Sequence, residues 1–339
     1  MKYLLYLFSI FLTSVLVVKE ATTPNMEDMG VAEILNKLGD EPNPNLPNTA
    51  MEGVSATNGA QLFLNGFSVS PNGKKQKKQS KHFVCTSCHN IVPEDPDLSV
   101  SDPQARLEYA AANNLPFLQG TTMYGAVNRT RFYNGDYYKK YGELVDKARN
   151  DIREAIQLCA VECAQGRRLK HWEIESILSY LWTIDLTVGD LDLSAAELET
   201  LNAALENNSN NQRAIDLVKS KYLQASPATF VAPPEDREAG ADGIVGKPEN
   251  GKLVYEQSCL HCHKDERYSF YKLDNTELSF EHLDKHFPKY TRYSTYQVSR
   301  WGTSPLPGKR AYMPQYPKER LSVQQLEDLR AYVAQRVQE

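Results

Sequence analysis

The chain has 339 residues, of which 41% are hydrophobic and 24% are charged. These proportions are ordinary for a soluble globular protein, and the length favours two domains. The formal net charge of −5 gives no reason to expect a nucleic-acid partner.

The N-terminus is predicted to be an export signal over residues 1–20. Lys2 supplies a positive charge, and residues 3–18 form an uncharged, mostly apolar run. The run has the length of a long signal-peptide core and is slightly short for a membrane span. No clear pair of small residues precedes Ala21, so an uncleaved inner-membrane anchor stays open as the alternative. In both cases we expect the folded part to lie outside the cytoplasm, as in a periplasmic protein.

Residues 21–50 are polar and rich in Pro and Asn, which predicts an extended leader with a short helix near residues 31–38. After this leader, the pattern C-x-x-C-H occurs twice, at residues 85–89 and 259–263. Its two thiols have the spacing that attaches one haem covalently, and the following His then supplies the proximal nitrogen to the iron. C-x-x-C pairs also form half of zinc sites and thioredoxin-like redox pairs, but neither requires the adjacent His.

We therefore predict two covalently bound haem c groups. Haem 1 and haem 2 would be attached through the cysteines and bound at iron through the histidines of the two motifs: Cys85, Cys88 and His89 for haem 1, and Cys259, Cys262 and His263 for haem 2.

The sequence around the motifs is also repeated. One copy begins at residues 58–63 (NGAQLF) and the other at residues 250–255 (NGKLVY), each with an aromatic four residues after the Gly. Each copy ends in a helix-periodic segment with a Tyr, at residues 174–181 and 326–333. A small Gly on one helix facing an aromatic-bearing helix would let the first and last helices of each copy cross closely.

This arrangement resembles class I c-type cytochrome domains. In that family an N-terminal helix leads into C-x-x-C-H, a Met from a later loop takes the far side of the iron, and a C-terminal helix crosses the first. The resemblance implies an all-α fold with two cytochrome c-like helical domains joined by a helical and extended linker. It also implies Met313, which precedes Pro314, as the distal ligand of haem 2.

The distal ligand of haem 1 is less clearly marked. Met123 is the one methionine between His89 and Met313, and it is the candidate, although no Pro follows it. His171 and an open coordination position remain the alternatives.

The expected domain boundaries follow the repeat. They are a signal at 1–20, a leader at 21–50, an enlarged haem 1 domain at 51–188, a linker with helices at 189–246 and a haem 2 domain at 247–339. The enlargement includes a basic insertion and an extra helix, predicted near residues 146–164.

Two cysteines, Cys159 and Cys163, lie outside the motifs. They are four residues apart on that predicted helix, and therefore on one face. In an oxidising compartment such a pair favours a disulfide, with buried thiols or a functional sulfur near haem 1 as alternatives.

The surface around the two haems gives weaker signals. The lysines of residues 74–81 are interpreted mainly as a solvated loop, with docking of an acidic redox partner as the alternative. Residues 290–312, which include Arg300 and Trp301, are expected to wrap haem 2, where a side-chain nitrogen could bond a haem propionate.

The sequence therefore favours an exported electron carrier over an enzyme. Its redox partners would be a membrane respiratory complex, a dehydrogenase or a terminal acceptor. The alternative is a haem oxidoreductase that uses haem 1, because residues 152–181 resemble the I-N-x-C helix and the following Tyr-containing helix of thiosulfate dehydrogenases and related sulfur-oxidising cytochromes.

Overall fold

The structure is a computed structural model, and it describes residues 25–207, 211–303 and 313–339. Within these ranges the protein is all-α, with only isolated β-bridges between helices and turns. The all-α part of the predicted fold class is therefore confirmed, while the division into two cytochrome c-like domains stays a prediction. The predicted export signal at residues 1–20 lies outside the described residues.

The first part of the chain contains the following helices: α1 (Val31–Lys37), α2 (Ala56–Asn65), α3 (Pro103–Ala112), α4 (Tyr137–Tyr141), α5 (Val145–Ala148), α6 (Ile152–Leu158) and α7 (His171–Leu181). The later helices are α8 (Ala195–Asn207), α9 (Asn211–Ser220), α10 (Pro248–Val254), α11 (Leu260–His263), α12 (Glu277–His286), α13 (Thr295–Trp301) and α14 (Val323–Gln338). Across the described residues, none of these helices has the length and apolar character needed to cross a membrane.

Helices α2 and α7 cross closely at a glycine. The hydroxyl of Ser55 caps the start of α2 by accepting a hydrogen bond from the Asn58 amide. A Cβ on Gly59 would lie 1.8 Å from the carbonyl oxygen of Ser176 and 2.8 Å from Cβ of Tyr180. Only glycine fits this contact, so the helix crossing predicted for the first copy is confirmed.

Helices α10 and α14 repeat the same crossing. A Cβ on Gly251 would lie 1.9 Å from the carbonyl oxygen of Asp328 and 2.8 Å from Cβ of Tyr332. At the start of α14, Ser322 and Gln325 form a reciprocal capping pair. The crossing predicted for the second copy is also confirmed. In both copies a glycine of the first helix meets a backbone carbonyl and a tyrosine of the last helix.

The leader and the linker pack together, which the sequence did not predict. Helix α1 shares an apolar core with α8 and α9. Side chains with no solvent exposure in this core come from all three helices: Val31, Ile34, Leu201, Ala214 and Val218. The predicted short helix near residues 31–38 is therefore present as α1 and is anchored by the two linker helices.

The extra helix predicted near residues 146–164 is wrong as a single element. It is divided into α5, α6 and a π turn at Cys159–Cys163. The break occurs because the carboxylate of Asp151 accepts hydrogen bonds from the amides of Arg153 and Glu154 and starts α6 afresh.

Candidate functional site

The second C-x-x-C-H motif ends a continuous helical stretch. Helix α10 widens into a π turn, Tyr255–Cys259, and continues as α11 to His263. Nδ1 of His263 lies 2.7 Å from the carbonyl oxygen of Tyr271. Because a carbonyl only accepts hydrogen bonds, Nδ1 carries the proton and Nε2 is the nitrogen suited to bind a metal.

The first motif has a different local structure but the same histidine geometry. Its first residues form a 3₁₀ turn, Cys85–Ser87. Nδ1 of His89 lies 2.7 Å from the carbonyl oxygen of Thr121. The ring passes so close to Gly120 that a Cβ there would lie 2.5 Å from Cε1 of His89. The structure therefore orients both predicted proximal histidines by a backbone carbonyl, with Nε2 as the remaining ring nitrogen.

Burial favours the neutral forms of the side chains in both motifs. It lowers the pKa of His89 and of His263. It raises the pKa of Cys85 and of Cys259 to about 12, and that of Cys262 to about 11. A neutral imidazole is the form that ligates iron, so the protonation states agree with the predicted roles.

Each candidate distal methionine packs in the apolar cluster that contains the first cysteine of its own motif. Met313 packs in the cluster with Cys259, and Met123 packs in the cluster with Cys85. His171, the alternative for haem 1, is an exposed residue at the start of α7. We call residues 51–188 the first half and residues 247–339 the second half. Each methionine thus lies in the same half and the same apolar cluster as its motif, while ligation to iron stays a prediction.

The donor set of each half fits a haem c group. It offers two thiols that are free rather than bridged, an imidazole with Nδ1 already satisfied, and a thioether in the same apolar cluster. In the described ranges no group of three or more His, Cys, Asp or Glu side chains is arranged to hold a metal ion. The motif cysteines there do not form the four-thiolate arrangement of a zinc site.

The two motifs lie next to each other. The thiols of Cys88 and Cys262 are close enough for one to affect the ionisation of the other. The backbone of Ser87 acts on the pKa of His261, so the second motif lies beside the first. Residues separated by about half of the chain are therefore brought to one region.

Cys159 and Cys163 are free thiols in this structure, so the predicted disulfide is not formed here and its pairing stays a prediction. The two thiols hydrogen-bond each other, and the hydroxyls of Tyr133 and Tyr141 lie 3.5 Å and 3.6 Å from Sγ of Cys163. The bond from Cys159 and these hydroxyls outweigh burial and lower the pKa of Cys163 below its ordinary value. Both thiols also lie within electrostatic range of the cysteines of the first motif.

The basic insertion presents its charges to solvent. All of its lysines are exposed: Lys74, Lys75, Lys77, Lys78 and Lys81. Arg300, by contrast, is buried and donates hydrogen bonds to the carbonyl oxygens of Leu321 and Ser322, the latter at 2.9 Å. Its guanidinium thus supports the start of α14, while a contact of this stretch with a haem propionate stays a prediction.

Sequence reasoning missed a buried ion cluster that joins the two halves. Glu94 has no solvent exposure, and its Oε1 lies 2.6 Å from a terminal nitrogen of Arg320. Arg106, 1% exposed, lies 3.9 Å from the other carboxylate oxygen. Burial acts to raise the pKa of Glu94, but the two guanidinium groups prevail and the pKa lies below its ordinary value. No local spacing marks this cluster, because Glu94 and Arg320 are 226 positions apart.

Comparisons of the chain with protein-family models, with curated proteins and with solved structures return no match.

Proposed function

We propose that the chain is an exported dihaem c-type cytochrome that carries single electrons between redox partners. It would consist of two cytochrome c-like helical domains joined by the linker of residues 189–246. Each domain would hold one haem through the two cysteines and the histidine of its motif, with Met313 as the distal ligand of haem 2 and Met123 as that of haem 1. When bound, each haem would take up and release one electron at its iron.

The observation that carries this proposal is the duplicated geometry of the histidines. In both halves a C-x-x-C-H motif ends in a buried imidazole whose Nδ1 is 2.7 Å from a backbone carbonyl. Metal-ligating histidines in proteins characteristically donate their other ring N–H in this way, which fixes the ring and its tautomer. The duplicated glycine crossing of α2 with α7 and of α10 with α14 supports a common domain plan.

The position of the motifs supports electron transfer within the molecule. Cys88 of the first motif and Cys262 of the second are near neighbours, so the groups attached to them would be close. The exposed lysines of residues 74–81 offer a positive surface on which an acidic redox partner could dock. A partner that delivers or accepts electrons would then need to reach only one of the two haems.

The direct test of carrier function uses the haem-loaded, reduced protein and carbon monoxide. A carrier with two six-coordinate irons has no free position, so we expect no change in the visible spectrum when CO is added, together with rapid oxidation by a soluble electron acceptor. A stoichiometric spectral shift at one haem would contradict the carrier assignment for that haem.

A second candidate is a haem oxidoreductase of the thiosulfate dehydrogenase type that uses haem 1. It is favoured by one observation, the low-pKa thiol of Cys163 beside the first motif. The test is thiosulfate-dependent reduction of the haem-loaded protein, with a Cys163→Ala variant as the control. Turnover that the variant loses would support this candidate, and absence of turnover in the unchanged protein would remove it.

A further inference from the structure

One peptide unit stands between His89 and the buried carboxylate of Glu94. The carbonyl oxygen of Thr121 accepts the hydrogen bond from Nδ1 of His89. The N–H of Thr122 belongs to the same peptide and donates to Oε1 of Glu94 at 2.8 Å. Carboxylate, peptide and imidazole therefore form one hydrogen-bonded relay.

Further hydrogen bonds hold this relay in place. The other oxygen of Glu94 accepts a hydrogen bond from the Asn90 side chain at 2.8 Å. Arg320 donates to Oε1 of Glu94 at 2.6 Å and to the carbonyl oxygen of Gly120 at 2.8 Å. Because Gly120 also touches the His89 ring, the segment that carries the peptide is held from both sides.

Such a relay changes the electron donation of the histidine in a definite direction. An anionic acceptor on the N–H polarises the peptide and makes its carbonyl oxygen a stronger acceptor. A stronger acceptor draws the proton on Nδ1 and makes Nε2 a better electron donor. A more strongly donating axial nitrogen stabilises the ferric over the ferrous state and lowers the reduction potential.

The second half lacks this arrangement. Nδ1 of His263 donates to the carbonyl oxygen of Tyr271. The other end of that peptide is the N–H of Lys272, for which the described part of the chain provides no carboxylate partner. Both predicted proximal histidines therefore donate from Nδ1 to a backbone carbonyl. Only for His89 does the N–H of the same peptide donate to a carboxylate.

We propose that Glu94 is a positioning residue that acts on His89 through the Thr121–Thr122 peptide and selectively lowers the reduction potential of haem 1. Arg320, which comes from the second half, balances the charge of Glu94 and so sets the strength of the effect. This inference rests on the proposed attachment of haem 1 at Cys85 and Cys88.

The test is a potentiometric titration of the haem-loaded protein and its Glu94→Gln variant, with each haem followed by low-temperature EPR. We expect the equilibrium constant for reduction of haem 1 to rise about tenfold in the variant, the size of a lost charged hydrogen bond. The EPR signal of haem 1 should shift, and the potential and signal of haem 2 should stay unchanged.

Two further variants separate the relay from other effects. Glu173→Gln also removes a fully buried carboxylate of the first half, one that is paired with Arg167 and not connected to His89, and it should leave haem 1 unchanged. Glu94→Asp keeps the charge but withdraws it from the Thr122 N–H, so it should shift haem 1 in the same direction by less. It also provides the test if Glu94→Gln does not fold.

The outcomes are distinguishable. Haem content is measured first, and absence of haem 1 would refute the proposed function. A loaded Glu94→Gln protein with an unchanged haem 1 potential would overturn the inference alone. An unchanged potential in Glu94→Asp, or an equal shift in Glu173→Gln, would show that the peptide connection has no role and would also overturn it.

Discussion

In the second half of the molecule, the C-x-x-C-H motif follows directly from helix α10 and ends α11. In the first half, a lysine-rich insertion separates α2 from the motif, which then forms a 3₁₀ turn. Both arrangements deliver a histidine whose Nδ1 is 2.7 Å from a carbonyl oxygen. The orientation of the histidine is therefore kept while the backbone that supplies it differs.

The halves also differ in their polar surroundings. The first has a buried carboxylate behind the histidine and a thiol pair beside the motif, and neither has a counterpart at the second motif among the described residues. If the two sites perform unequal tasks, the first half contains the groups that would tune or modify the haem proposed there. The following changes separate the halves experimentally.

The largest effect is expected from Arg320→Met, which removes the main partner of Glu94 and loosens the contact between the halves. Leaving a buried carboxylate without its partner should lower the free energy of unfolding by about 3–5 kcal/mol, measured by urea denaturation. Lys37→Met, which removes an exposed pair with Glu33, should cost less than about 1 kcal/mol. Equal losses in the two variants would contradict the importance of the buried cluster.

The same cluster predicts a pH dependence. Because the pKa of Glu94 is lowered on folding, its contribution to stability is present above its ordinary pKa of 4.5 and is lost as the pH falls below that value. The acid-induced loss of stability should therefore be smaller in Arg320→Met than in the unchanged protein.

The glycine crossings provide a matched pair of changes. Gly59→Ala and Gly251→Ala each place a Cβ within 2 Å of a carbonyl oxygen, so each should destabilise its own half by about 1–3 kcal/mol through overpacking. Thermal melts followed at the two haem spectra would show which half is affected. Gly189→Ala, whose nearest contact would be 3.2 Å, is the milder control, and an equal loss there would contradict the tight crossings.

Replacing the two methionines proposed as distal ligands should open one coordination position at a time. Met313→Ala should let the reduced protein bind CO at haem 2, and Met123→Ala should do so at haem 1, each to one equivalent. Met51→Ala, a change in the same apolar cluster as Met123, should leave CO binding absent. CO binding that is unaltered in Met123→Ala would remove Met123 as the ligand of haem 1.

The smallest expected effect concerns a single sulfur atom. Because the pKa of Cys163 is lowered and that of Cys159 is raised, iodoacetamide should alkylate Cys163 at a lower pH than Cys159. Peptide mass spectrometry measures both rates. Labelling that requires prior reduction would show that the predicted disulfide forms.

Local patterns in the sequence were sufficient to predict the helix pairs. In each copy the first helix begins with Asn-Gly, which gives it a small surface, and the last helix carries a Tyr, which gives it a large one. The close crossings at Gly59 and Gly251 follow from this difference. The ion cluster of Glu94, Arg106 and Arg320 was not predictable, because its members are joined only by tertiary contact. The packing of α1 on α8 and α9 was missed for the same reason.

The predicted extra helix shows a different limit. Apolar periodicity runs through residues 146–164, but the Asp151 cap interrupts it and the cysteine pair falls in a π turn. A capping carboxylate within a periodic segment competes with helix continuation. Here the local hydrogen bonds of one side chain decided the outcome.

The most direct test of the central claim is the intact mass of the denatured protein after expression with a haem c maturation system. The account predicts that two haem groups remain covalently attached to the unchanged chain. One haem should remain in each variant that lacks both cysteines of a motif. The control that lacks the extra thiol pair should keep two. The three variants are Cys85→Ala/Cys88→Ala, Cys259→Ala/Cys262→Ala and the control Cys159→Ala/Cys163→Ala. A denatured chain without attached haem would contradict the account.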